Sequence, residues 1–271
     1  MDSRQLDLFD DRASVQGASA PPTAPPLDPA SLSDAALVAA LPEVGLADAG
    51  ALAAEAGRRR LSGAVRALAT LCHRFAGFGA DRTIPEQAAA LDALAEIGGS
   101  DASRSVEEMV VKAVVQGPTL AAAVDAASRL GVAFAAAVAT RLLRHPDPSV
   151  RAAACACARA GPEVVTVLSE LLLDRDREVA IAAACALGRM GSGKARDPLK
   201  RLLNESPSAR VIEALGGVAD EEAVVFLARI GRARPEFAAA VLAALDEIDH
   251  ERAPAAAAAL RGWLAISRTS P

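Results

Sequence analysis

The clearest hydrophobic pattern along the chain is a two-helix unit written twice between Asp147 and Glu205. Asp147-Pro148-Ser149-Val150-Arg151 opens an Ala-rich run that ends at Gly161. Asp176-Arg177-Glu178-Val179 opens a second, which ends at Gly188 and Gly191. Leucines at helical spacing follow each run, Leu168, Leu171 and Leu172 in the first copy and Leu199, Leu202 and Leu203 in the second. Equivalent positions, such as Val150 and Val179 or Leu171 and Leu202, recur at about thirty residues, a period that signals a solenoid. Each copy predicts a helical hairpin whose apolar face is too large to bury alone, so copies must stack.

Weaker versions of the unit extend on both sides. Ser31 or Ser33 suits the N-cap of a short helix through Leu41, with Pro42 ending it. Residues 45–58 and 60–75 predict a helical pair, with Leu61, Val65, Leu68, Leu71 and Cys72 on one stripe. Gly77, Gly79 and Asp81 mark a break, and residues 85–97 and 103–115 predict the next pair, with Pro85 in a first turn and Gly98-Gly99 as a C-terminal cap. Residues 118–130 and 132–144 give another hairpin. Beyond the two clear copies come 208–218 with 221–232, where Leu215-Gly216 matches Leu187-Gly188, and then 235–248 with 254–266. The reading is an all-α solenoid of about seven hairpins over residues 32–271. Trp263 is placed to cover one end of the stack, because terminal repeats must differ.

Residues 1–12 are charged and residues 13–31 are rich in Ala, Ser and Pro, including Pro21-Pro22 and Pro25-Pro26. Such a composition buries no core, so 13–31 is expected to be a disordered, partly extended tether.

Composition supports this picture. Of the 271 residues, 52% are hydrophobic, and Ala, the best helix former, supplies much of that share. Aromatics are 3%, with no Tyr and one Trp, which is poor material for sheets or base-stacking platforms. A net charge of −5 gives no global attraction to nucleic acid or anionic membrane. Cys72, Cys155, Cys157 and Cys185 follow no framework spacing, which points to a reducing compartment. The acidic first residues do not read as a signal peptide, and Asp125 and Arg129 interrupt the most apolar stretch. The expectation is a soluble, cytoplasmic protein.

The Asp-x-x-Val-Arg opening, the Ala-rich first helix, Leu-Gly near its end and the Leu-x-x-Leu-Leu second helix resemble HEAT repeats, and more narrowly the short kind named after phycobilisome lyases. The resemblance covers residues 147–231 closely and 46–266 more loosely. It implies that Val150 and Val179 face the core and that Arg151 lies near the inter-repeat turns. It also implies a right-handed superhelix whose second helices line a concave, partner-binding face. The second copy departs from the pattern in having Ala180 where Arg would stand. Lyase activity is not implied, since the repeat occurs mostly in non-enzymatic scaffolds.

A separate resemblance lies at Gln5-Leu6-Asp7-Leu8-Phe9, which is similar to the motif by which bacterial replication and repair proteins dock on the DNA polymerase sliding clamp. Carried over, Gln5 is the polar anchor, Leu8 and Phe9 fill a hydrophobic pocket, and Leu6 and Asp7 complete the extended peptide. By chance such a match arises in roughly a few in ten thousand chains of this length. The alternative is that Leu6, Leu8 and Phe9 dock on the protein's own first helices.

Other candidates weigh less. Cys155 and Cys157 sit two apart, no Cys-x-x-Cys or paired His is present, and small buried thiols in place of Ala account for them better than a metal site. His73, His145 and His250 are scattered and read as surface or turn residues. Gly191-Ser192-Gly193-Lys194 resembles half of a phosphate-binding loop but lacks the strand that should precede it, and reads as an inter-helix turn. Arg58-Arg59-Arg60, and Lys194, Arg196, Lys200 and Arg201, are basic clusters, but acidic residues between them break any phosphate-tracking stripe. No catalytic residue, cofactor or metal is assigned. The expected function is a non-enzymatic adaptor, binding the clamp through residues 5–9 and a second protein through the solenoid. A lyase or maturation-factor subunit, or a general scaffold with a self-docked peptide, is the alternative.

Overall fold

Helix signals alternate with Gly, Pro and Asx breaks along the chain, and the structure, a computed structural model describing residues 28–269, places a helix between nearly every pair of breaks. Among the described residues there are fifteen α-helices and no strand. A lone α1 (Asp34–Ala40) precedes seven hairpins. These are α2 (Leu46–Arg58) with α3 (Val65–Arg74), α4 (Pro85–Ile97) with α5 (Gly99–Val111), α6 (Thr119–Arg129) with α7 (Ala136–Leu143), and α8 (Pro148–Cys157) with α9 (Pro162–Leu171). They continue with α10 (Arg177–Arg189) and α11 (Arg196–Glu205), α12 (Ala209–Gly216) and α13 (Glu221–Ala233), and α14 (Ala238–Glu247) and α15 (Ala253–Thr269). The whole is an α-solenoid.

Short polar side chains start many of these helices by satisfying amides that have no partner within the helix. Ser33 accepts from the Ala36 amide at 3.3 Å, Asp147 from Ser149 at 2.8 Å, and Asp220 from Ala223 at 2.9 Å. Asp176 accepts from both Glu178 and Val179, at 2.9 and 3.2 Å.

The first helices form a continuous row, with α2 against α4, then α6, α8, α10, α12 and α14. Each second helix lies chiefly against the first helix that follows it: α3 on α4, α5 on α6, α7 on α8, α9 on α10, α11 on α12 and α13 on α14. The repeats are therefore interlocked, and one apolar core runs from Leu37 to Leu260. Val150 and Val179 are buried in it, as are Leu168, Leu171, Leu199 and Leu203, while Leu172 and Leu202 are half-buried at its edge.

Small residues set the spacing of the first-helix row. A Cβ on Gly188 would stand 2.4 Å from the Ala214 carbonyl oxygen on α12, and one on Gly57 would stand 2.9 Å from the Ala93 Cα on α4. Neither gap admits a side chain, so the backbones of neighbouring repeats all but touch there.

Several boundaries differ from the sequence reading, three of them informatively. The helix expected at 103–115 occupies Gly99–Val111, because Gly98 and Gly99, at φ 73° and 84°, complete the reversal between α4 and α5 by themselves. Residues 132–135 stay outside α7, although Val132 and Phe134 are buried. The expected tether ran to residue 31, yet Pro29–Ser31 is a 3-10 turn capped by Asp28 and bonded to Arg59 at the end of α2, so residues 28–31 belong to the folded body.

Candidate partner-binding surface

Gln5, Leu6, Asp7, Leu8 and Phe9, and the tether through residue 27, lie outside the described residues. What the structure describes is where the tether joins the solenoid and which surfaces lie near that point.

The junction is built on Arg59, whose guanidinium reaches back across about thirty residues of chain. It donates to the carbonyls of Pro29, Ala30 and Leu32 at 3.2, 3.0 and 2.8 Å, to Asp34 Oδ1 at 2.9 Å, and to Glu55 Oε1 at 2.6 Å. Arg58 makes two further bonds to Glu55, at 2.8 and 2.6 Å. Hydrogen bonds from Arg58 and then Arg59 hold the Glu55 carboxyl well down, at about 2 from an ordinary 4.5. The basic triplet is thus largely a structural latch. Arg58 and Arg59 are taken up by carboxylates and backbone, and Arg60 occupies the left-handed position, φ 52°, that ends α2.

Between α2, α3 and the start of α4 lies an apolar cavity of about 420 Å³. Leu46 and Phe78, two of the most exposed large hydrophobic side chains at 60% and 63%, face it together with Phe75 and Ile84. Arg74, Arg82 and Glu86 form its rim. Arg74 is held in place by the carbonyls of Pro42 and Val44, each at 3.0 Å, and lies 5.9 Å from the Phe75 ring centroid. The sequence singled out none of these residues. The visible signal was Phe75 and Phe78, two of six phenylalanines, flanking the Gly77 break.

Farther along the stack, Arg151 behaves as its resemblance implies. Its guanidinium donates paired 2.9 Å bonds to Asp174, after α9, and also donates to the His145 and Pro146 carbonyls at 2.9 and 2.8 Å. The Arg151 bonds hold the Asp174 carboxyl below its ordinary value. In the next repeat Ala180 leaves that position empty, and Arg177 instead bonds Ser206 Oγ at 2.9 Å and pairs with Glu205 at 3.6 Å. A shallow concavity of about 190 Å³ opens there, lined by Leu172, Ala180, Ile181 and Leu202 beside Arg177 and Arg201. Two basic residues of this hairpin are likewise engaged, Arg196 with Asp220 at 3.1 Å and Lys200 with Glu222 at 2.7 Å.

All four cysteines are buried free thiols. Cys155 and Cys157, two apart on α8, are both covered, and the Cys157 thiol donates to the Val124 carbonyl on α6 at 3.1 Å. Burial raises Cys72 and Cys155 to about 12 and Cys157 to about 11. Gly191-Ser192-Gly193-Lys194 is the α10–α11 turn, with Gly191 at φ 70° and Lys194 reaching Ser169 Oγ at 3.3 Å. His145 and His250 sit in turns and each accepts an amide two residues on, at 3.1 and 3.2 Å. No group of three His, Cys, Asp or Glu stands ready to hold a metal among the described residues, and no described helix is long and apolar enough to cross a membrane.

The family match agrees with this architecture. Residues 135–216, from the beginning of α7 to the end of α12, match the family model described as HEAT repeats. No curated protein matches the chain. Among solved structures, the chain is similar to the X-ray structure of YibA from E. coli, a structural genomics target, at 15% identity and a TM-score of 0.48, covering 81% of this chain and 93% of that one. The described residues form an all-helical solenoid, and residues 135–216, just under a third of the chain, match HEAT repeats.

Proposed function

We propose that the protein is a non-enzymatic adaptor of a bacterial replication or repair system, hooking the DNA polymerase sliding clamp with Gln5, Leu6, Asp7, Leu8 and Phe9 while the solenoid holds a second protein. The observation that carries this reading is the pentapeptide itself, set ahead of a Pro- and Ala-rich tether and a stacked-helix scaffold of the kind that binds proteins. Gln5 supplies the polar contact, and Leu8 and Phe9 supply the apolar area. Extended over a clamp subsite, two such side chains contribute a few kcal/mol before the cost of ordering the arm, so affinity is expected on the order of micromolar. Tethering then concentrates the solenoid's partner near the clamp, to an extent set by arm length.

The test is a pull-down with purified bacterial clamp. Replacing Leu8 and Phe9 together by Ala is expected to abolish retention while leaving the helical circular dichroism of the solenoid unchanged. Undiminished retention by that double variant overturns the proposal.

A further inference from the structure

The Leu46–Phe78 cavity has no covering element among the described residues, and it is a largely apolar opening about one helix length from the point where the arm joins the fold. Three features of the chain bear on what covers it. The first is reach. Pro29, next to Asp28, is fixed beside the C-terminal end of α2 by Arg59, and Leu46 begins the same 13-residue helix, so the two points are separated by about 20 Å at 1.5 Å per residue. From Phe9 to Asp28 are 19 peptide units. As a flexible chain these have a root-mean-square span of about 24 Å, and fully stretched about 60 Å. Local concentration is greatest when the root-mean-square length of a connector matches the gap, and here it does.

The second feature is charge. The apolar residues Leu6, Leu8 and Phe9 alternate with and precede Asp7, Asp10 and Asp11. The cavity presents two guanidiniums, Arg74 and Arg82, against one carboxylate, Glu86. The third is shape. Leu46, Phe75, Phe78 and Ile84 offer room of about 420 Å³, enough for one Phe and one Leu side chain but not for a folded element.

From these we infer that the cavity between α2, α3 and α4 is the resting seat of the protein's own residues 5–11, with Leu8 and Phe9 inside and the aspartates on Arg74 and Arg82. The seating itself is independent of any clamp. Its consequence rests on the adaptor reading above, because Leu8 and Phe9 cannot fill this cavity and a clamp pocket at the same time. The arm is then self-masked, and clamp binding must displace it. If the peptide's intrinsic Kd for the cavity is on the order of 100 μM and its local concentration on the order of 1 mM, it is docked about ten to one, and its apparent affinity for a clamp falls about ten-fold.

The test uses the full-length chain alone, followed by hydrogen exchange read by mass spectrometry. Residues 5–11 are expected to exchange about ten-fold slower than in the Phe78→Asp or Leu46→Asp variants, both of which alter exposed positions. Leu8→Ala with Phe9→Ala is expected to remove protection from residues 74–86 in return, and high salt to weaken protection on both sides. Arm amides that exchange at free-peptide rates in the wild-type chain overturn the inference, and so does protection that survives both cavity variants. Protection that grows with protein concentration also overturns it, showing a second copy's arm in the seat. A second experiment adds the clamp, and Phe78→Asp should bind it about ten-fold more tightly than wild type. Loss of all clamp binding with arm protection intact rejects the adaptor reading and leaves the seat standing.

Discussion

Single side chains hold the turns of this solenoid, and Arg151 is the fullest case. Its guanidinium satisfies two backbone carbonyls and a carboxylate that is itself 8% exposed, so removal orphans three acceptors at once. Arg151→Ala should destabilise the fold by about 1–3 kcal/mol, seen as a lower urea midpoint with little change in the m-value. Glu55 makes the corresponding latch sensitive to pH. Its carboxyl is held at about 2 when folded against an ordinary 4.5, so the stability it adds is complete above that ordinary value and drains away as pH falls toward 2. Thermal melts of wild type and Glu55→Gln should therefore differ at pH 6, converge as pH falls from 4.5 through 2, and coincide only below pH 2. A wild-type advantage as large at pH 2 as at pH 6 would contradict this account of the latch.

Among the elements, the close approach of α10 and α12 is the tightest constraint. Gly188→Ala drives a methyl group into the Ala214 carbonyl, and separating two helices of the row should cost about 2–3 kcal/mol by denaturant titration. Gly216, its counterpart one repeat later, faces Ala244 at 3.4 Å, so Gly216→Ala should cost much less. Helix-forming stripes and their breaks were plain in the sequence, because Leu spacing, Asx caps and Gly punctuation are local properties. What was not legible is the pairing. Nothing in a hairpin's own residues says that α9 leans on α10 or that Arg59 reaches back to Pro29, since each contact is made with residues outside that hairpin. For the same reason the Arg58-Arg59-Arg60 run read as a free basic cluster, and Gln87, which donates to the Cys72 carbonyl at 2.9 Å across α3 and α4, drew no notice. The Leu46–Phe78 cavity was hidden for a different cause: its walls come from the ends of three helices and the irregular segment between α3 and α4, which show no helical periodicity.

At the scale of the whole molecule, interlocked repeats mean that stability is a sum of units and junctions, so opening should begin where a unit has a neighbour on one side only. The four thiols happen to be distributed for watching this. Cys72 lies on α3, Cys155 and Cys157 on α8, and Cys185 on α10, all covered and, where burial is greatest, with ionisation pushed to about 12. Alkylation of the native protein at pH 8 should be slow at every one of them and should become rapid only on exposure. Rising urea should release Cys72, near the first hairpin, before the central pair, as mass spectrometry of the alkylated peptides would show. Simultaneous release of all four would instead mean that the junctions are strong enough to make the rod a single cooperative body. The chain thus carries its own built-in strain gauges: four sulfur atoms, spaced along its length, that record which segment gives way first.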